Sequence, residues 1–349
     1  MEEKSNLGAF ELAPEVTSEQ MQAFFFDENA LRVPAYRLYQ LNTKGVRYYY
    51  SLNDHGEPTF YPSVTTILQE VMPRNIFLEK WRADMGWEQA NAYTQERANY
   101  GTFLHGQIEH LLVARSYDLD NLKAELAKYI EREQLPTNFI NYAEDLKKDI
   151  LSFAQFVIDY DIKPLCIEQS LFSVKGYAGM IDLVANIRTT PLSDELKARE
   201  KKGDKWTEKD EEKYSQRIVA MIDFKSGKKG FYESHIHQLY LYKDMWEENY
   251  PDIPIQSVFN WSPNDWRKSP TYNFECQDEA IDPRITACLL EQYQLRKTET
   301  KSVTLVSGTI SLDEGLADNY RTLSLEELVK ERNSDKVEQD ESPLFPDEE

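Results

Sequence analysis

The spacing of apolar residues changes character along the chain. Between residues 36 and 61 the aromatic alternation in YRLYQL, the turn NTKG and the run VRYYYSL predict a β-hairpin. Ordinary strand packing accounts for its tyrosines, with base stacking as the functional alternative. Pro62 and Ser63 then open a largely helical stretch. Ser63 is a good N-cap, and apolar residues recur at three and four spacing to about Tyr160. The pattern then shifts again. A helix over 138–161 is followed by strand-like CIEQSLFSV (166–174), GMIDLVANI (179–187) and RIVAMIDFK (217–225), a helix over 231–248, and strand-like PIQSVFNW (254–261). That order, αβββαβ, predicts a mixed α/β core with helices packed on a sheet and a site at the strand ends.

Residues 188–216 interrupt this core with eight bases and eight acids. Such a stretch reads either as a solvated extension or as a flap that meets substrate. The boundaries that follow are an acidic, partly disordered segment at 1–31, one domain at 32–312 and an acidic tail at 313–349. Within the domain lie the hairpin (32–61), a helical region (62–137), the core (138–262) and a C-terminal extension (263–312). A length of 349 residues leaves ample material for such a core.

The formal charge of −21 counts against a nucleic-acid partner, because phosphate binding relies on Lys and Arg. Its distribution weakens that objection. The first 31 residues carry −6 and the last 37 carry −9, leaving −6 for the interior, where a local basic groove can form. No apolar run approaches the 18 or so residues of a membrane span, so no membrane partner is expected. The start MEEKSNLGAFELAPEV has neither the basic and apolar regions of a signal peptide nor the Arg-rich character of a transit peptide, and a cytoplasmic location is expected. Cys166, Cys276 and Cys288 match no metal-site spacing and read as reduced core thiols. The segment SPLF in the acidic tail reads as a solubilising stretch, or else as a short motif that docks on a replication or repair protein.

The chemistry concentrates in MIDFKSGKK. Asp223 and Lys225, two apart on an apolar strand, project to one face. Asp182 in GYAGMIDLVA and Glu168 in IEQSLF lie on the two preceding strands. Three acids at one sheet edge repel one another and raise each other's pKa unless a cation neutralises them. A hard divalent ion, Mg²⁺ or Mn²⁺, does this and suits phosphodiester hydrolysis. Lys225 then orients or deprotonates the attacking water, or neutralises charge developing on phosphate. In the following helix Gln238 and Tyr242 are one turn apart and share a face. In NYGTFLHGQIEHLL a stripe carries Gly101, His105 and Glu109, with Leu104, Ile108, Leu111 and Leu112 left for the core. A lone histidine is usually structural. The sharper reading has His105 supplying a metal ligand to the carboxylates and Glu109 fixing its tautomer, with His110 left as packing or surface.

The ordered set GTFLHGQIEH, IEQSLFS, GYAGMID, IDFKSG and QLYLY resembles the RecB-type branch of the PD-(D/E)XK nuclease superfamily. FYPSVTTILQEVM, then Trp81 and the histidine helix, further resembles the group that contains mitochondrial genome maintenance exonuclease and its bacterial and phage relatives. The resemblance spans roughly residues 60–262 and implies a restriction-endonuclease-like αβββαβ core behind a large N-terminal helical region. It implies His105, Asp182 and Asp223 as metal-site residues, Glu168 as the acid of the first core strand and Lys225 as the catalytic lysine. Gln238 and Tyr242 match the family's Gln-x-x-x-Tyr motif, which helps position the site or the nucleic-acid backbone. Mg²⁺ is the implied cofactor, with Mn²⁺ as a substitute. The four-cysteine set of the iron-sulfur members is absent, so no cluster is expected. Asp182 and Asp223 are 41 positions apart, and the gap contains the charged insertion, a departure that leaves the shape of the substrate open.

The expected function is therefore metal-dependent hydrolysis of DNA in replication, repair or recombination, by an exonuclease acting on single strands or single-stranded ends. Lys175, Lys228 and Lys229 near the motifs are available for phosphate contacts. The competing readings are a non-catalytic DNA-binding subunit of a recombination or repair complex, and a metal hydrolase with another substrate. A bacterial or phage setting follows from the resemblance and the absence of a targeting signal.

Overall fold

Near-continuous β-branched and apolar runs such as RIVAMIDF cannot leave either face in water, so they pair at the centre of a sheet covered on both sides. The computed structural model describes residues 31–296, apart from 35, 44–45, 54, 204 and 228–229, together with 305–307, 321–324, 326–327 and 329–330. In it the chain is mixed α/β. The acidic segment at 1–30, most of the acidic tail, and Lys228 and Lys229 lie outside the described residues.

The predicted hairpin is present as β1 (Tyr39–Thr43) and β2 (Val46–Leu52), and a third antiparallel strand, β3 (Pro58–Pro62), extends it. Pro58 and Pro62 cannot donate ladder hydrogen bonds, which suits the edge position of β3. Ser63 caps the first helix as expected: its Oγ accepts from the Thr66 amide at 3.0 Å. That helix, α1 (Val64–Val71), buries Val64, Ile67, Leu68 and Val71. The helical region continues through α2 (Ile76–Met85), the 28-residue α3 (Trp87–Ala114) and α4 (Leu122–Arg132). The helix expected at 138–161 begins as a 3-10 segment at Thr137–Tyr142 and becomes α-helical as α5 (Ala143–Tyr160).

Five strands form the central sheet in the order β4-β5-β6-β7-β8. They are β4 (Lys163–Ser173), β5 (Tyr177–Arg188), β6 (Arg217–Phe224), β7 (Ser257–Pro263) and β8 (Tyr272–Cys276). The first three are antiparallel. β7 runs parallel to β6 after a crossover through α8 (Glu233–Asn249). The sequence α5-β4-β5-β6-α8-β7 is thus the predicted element order. The C-terminal extension does more than extend the chain, since β8 completes the sheet edge and α9 (Pro283–Arg296) packs on α1 and α8.

Helices cover both faces of the sheet. On one, α3, α4 and α5 pack on Ile222, Phe224, Leu183 and Trp261. On the other, α1, α8 and α9 pack on Met221, Val184 and Val258. Burying one Leu or Phe side chain stabilises by about 1.5–3 kcal/mol, so these two clusters anchor the sheet. No helix among the described residues is long and apolar enough to cross a membrane. Of the three cysteines expected in the core, only Cys166 is buried, while Cys276 and Cys288 are exposed.

The charged insertion is ordered as two short helices, α6 (Asp194–Lys202) and α7 (Glu208–Tyr214), held by a small cluster of Leu192, Leu196, Tyr214 and Trp206. Arg199 pairs with Asp210 at 2.9 Å, and Lys197 pairs with Asp159 at the end of α5. The insertion leaves the sheet where Arg188 faces Arg217, six residues along β5 from Asp182, about 20 Å at the rise of a strand. None of its described residues lines the cleft described below.

Candidate active site

Strand register decides which of the candidate residues meet. Ile167 faces Leu183 and Gln169 faces Ile181, which sets Glu168 across from Asp182. Leu183 faces Ile222, so Asp182 comes level with Asp223 one step beyond that pair. Asp223 in turn faces Asn260 on β7. Glu168, Asp182, Asp223 and Asn260 therefore form one row across four adjacent strands. Within β6, Asp223 alternates with Ile222 and Phe224, which pack against α3–α5, and so shares the α8 face with Met221.

The row is held by hydrogen bonds to the surrounding chain. Asp182 Oδ2 accepts from the Phe224 amide at 2.7 Å. The Lys225 ammonium donates to Asp223, at 2.9 Å to Oδ1 and 2.7 Å to Oδ2, and to Gln238 Oε1 at 3.1 Å. Gln238 Nε2 donates onward to the Tyr242 hydroxyl at 3.0 Å, so the helix pair read from its one-turn spacing is a working contact. On the other side, Asn260 Nδ2 donates to Asp223 Oδ2 at 2.8 Å. The lysine is thus fixed between a carboxylate and an amide, and both oxygens of Asp223 are engaged.

His105 reaches the row from α3. Its Nδ1 is 3.1 Å from Glu168 Oε1 and 3.8 Å from Asp182 Oδ1. The carboxylate that contacts the imidazole is Glu168 and not Glu109, which lines the same cleft one helical turn away. Ligand atoms of His105, Glu168 and Asp182 all lie within 4.8 Å of one another. That is close to the spread of donors around one ion with ligand bonds near 2.0–2.2 Å. Asp223, the remaining predicted ligand, is level with this triad but turned to Lys225 and Asn260. The donor set fits a divalent cation: two carboxylates suit a hard ion, and the imidazole nitrogen suits a first-row transition ion better than Mg²⁺.

The electrostatics match that reading. Burial pushes the Asp182 carboxyl up, and the neighbouring Glu168 adds to the push, while His105 and Lys225 hold it down. Asp223 is likewise pushed up by burial, against the pull of Lys225. For His105, burial disfavours the charged ring, but Asp182 and the hydrogen bond to Glu168 outweigh it and raise the pKa to about 9. The charges of Asp182 and His105 each shift the other's proton affinity and that of Asp223, as expected where carboxylates and an imidazole share one site.

Three features of the site were not readable from composition or spacing. Glu168 has φ +44°, a left-handed conformation that costs a non-glycine residue about 1–3 kcal/mol. Asn260 is fully buried beside Asp223; its only signal is a polar residue inside the apolar strand SVFNWSP. Gly179 lies under Tyr242, where an added Cβ would fall 2.5 Å from the ring. The glycine is in plain view in GYAGMID, but its reason is a contact made 63 positions later.

The site opens into a cleft of about 1200 Å³ lined by His105, Glu168, Asp182, Asp223, Lys225, Gln238 and Tyr242, that is, by every residue singled out for the chemistry. Lys175, expected near phosphate, is elsewhere: it pairs with Asp244 at 2.8 Å and lines a separate hollow between α8 and α9. His110 stacks edge-on against Tyr117 and takes no part. Comparison with known proteins adds no name to this geometry, since no protein-family model and no curated protein matches the chain.

Proposed function

We propose that this chain is a divalent-metal-dependent nuclease of the PD-(D/E)XK type, RecB-like branch, that hydrolyses DNA phosphodiester bonds. Exonucleolytic action on single-stranded DNA or single-stranded ends, in replication, repair or recombination, is the form this reading takes. The observation that carries it is the row of Glu168, Asp182 and Asp223 on three adjacent strands, with Lys225 two residues beyond Asp223 and His105 brought in from α3.

His105, Glu168 and Asp182 would hold the cation, with Asp223 beside them. A bound Mg²⁺ or Mn²⁺ supplies charge neutralisation at phosphate oxygens and lowers the pKa of water. The chain's own groups supply position. Gln238 and Asp223 aim the Lys225 ammonium into the cleft, where it orients the attacking water or stabilises charge on the phosphate. Tyr242, wedged on Gly179 and bonded to Gln238, keeps that amide from turning away. Asn260 holds Asp223 from behind.

A time course with end-labelled single-stranded and double-stranded DNA, in Mg²⁺, in Mn²⁺ and in EDTA, tests the reading beside a Lys225→Ala variant. Metal-dependent shortening from an end, lost in the variant, is the expected outcome. Folded protein that cuts no nucleic acid in either metal would replace hydrolysis with a binding role.

A further inference from the structure

The overall charge runs against a nucleic-acid partner, with 61 acids to 40 bases. Away from the cleft, basic side chains are matched with acids: Lys175 with Asp244, Lys197 with Asp159, Arg199 with Asp210 and Arg217 with Asp161. Around the cleft the pattern reverses. Arg37, Arg47, Arg97 and Lys128 all line it, and none of them is in an ion pair among the described residues. Arg132 joins them, with Glu133 at its side. Outside the carboxylate row, the acids lining the cleft are Glu109 and Glu125.

These five cations are not neighbours in sequence. Arg37 precedes β1 and Arg47 lies on β2, so the small sheet supplies one wall. Arg97 is on α3, and Lys128 and Arg132 are one turn apart on α4, so the helices supply the other. Several guanidinium groups are steadied by rings: Arg97 lies 4.4 Å from the centroid of Tyr100, Arg132 5.3 Å from Tyr129 and Arg37 5.4 Å from Tyr39. A single small anion needs two or three converging donors. Five donors contributed by two parts of the fold, lining the same cleft as the carboxylate row, match an occupant whose negative charges repeat along its length.

We propose that the two walls form a track for the phosphates of a nucleic-acid strand, Arg37 and Arg47 on one side and Arg97, Lys128 and Arg132 on the other. The inference rests on the nuclease reading of the row, but its test does not need cleavage. A fluorescently labelled single-stranded oligonucleotide is titrated with the full chain in EDTA at several salt concentrations. The comparison is between the unaltered chain, the triple variant Arg97→Ala, Lys128→Ala, Arg132→Ala, and Lys175→Ala. Each phosphate contact on a single strand contributes about 0.7 to the slope of log affinity against log salt, so the triple variant should flatten that slope by about 2. Lys175→Ala should leave it unchanged. The charge-keeping pair Arg97→Lys, Arg132→Lys should retain the slope, which separates lost charge from lost fold. An unchanged slope in the triple variant, or no salt-dependent binding by the unaltered chain, would overturn the track. A flattened slope from a chain that cuts nothing would keep the track and sink the hydrolase reading.

Discussion

The two ends of the central sheet handle charge in opposite ways. Where Arg188 and Arg217 meet, acids and bases are matched: Arg217 bonds Asp161 at 2.8 Å, and the insertion beyond is laced by Arg199–Asp210 and Lys197–Asp159. About six residues along the same strands, Asp182 and Asp223 are buried in a row that the half-buried Glu168 completes, with His105 and Lys225 as their cations. The first arrangement is complete in itself. The second concentrates buried carboxylates whose pKa values burial pushes up, and it spends backbone strain at Glu168 to do so. A charged segment that satisfies itself is scaffold, and one that converges unbalanced charge in a cleft is waiting for a partner.

That contrast is broken most sharply at Lys225 and Asp223. Lys225→Ala or Asp223→Asn should lower cleavage by about 10²–10⁴-fold while the thermal unfolding curve stays two-state, measured by single-turnover kinetics and circular dichroism. Next comes the support behind the row. Asn260→Leu removes the donor to Asp223, and outer partners of this kind are worth about 10–100-fold in metal affinity or activity, read as a higher metal concentration for half-maximal rate. Gly179→Ala drives a Cβ against the Tyr242 ring, and overpacking of this sort costs about 1–3 kcal/mol, read as a lowered denaturation midpoint with weakened activity. The smallest effect belongs to the other end of the sheet. Arg199→Ala breaks a partly exposed pair with Asp210 and should change stability by about 1 kcal/mol or less, with cleavage rates unaltered. If Arg199→Ala impaired cleavage as Asn260→Leu does, the two ends would not differ in kind.

Much of the fold was legible because its signals are local. Apolar strands such as RIVAMIDF and the Ser63 cap announce themselves within a few residues. So did the pairing of Gln238 with Tyr242, since one helical turn is a local distance. What failed depended on register or on distant contacts. Period-two alternation gives the face of a residue but not its cross-strand neighbour, so the row from Glu168 to Asn260 could be suspected and not drawn. Glu109 shares a helical stripe with His105 and was therefore the local candidate for its partner, but Glu168 arrives from a strand 63 positions away. β8 hides in YNFEC, too short and too polar to announce a strand, and the cleft cations come from three regions that only the fold unites. Lys175 sits beside the motifs in sequence yet pairs with Asp244 outside the cleft.

The nitrogen donor in the triad sharpens the account of the ion. His105→Ala should weaken Mn²⁺ more than Mg²⁺, because imidazole favours a transition ion over a hard alkaline-earth one, and competition calorimetry reads the difference. The most direct test of the central claim is Mn²⁺ binding followed by electron paramagnetic resonance, comparing the unaltered chain with Asp182→Asn. An asparagine at 182 can still accept the Phe224 amide, so the variant removes charge from the row and leaves its scaffold. The account predicts Mn²⁺ bound by the unaltered chain and lost, or weakened by 10-fold or about that, in the variant. Equal binding by both proteins would contradict it, because the buried row would then hold no ion at all.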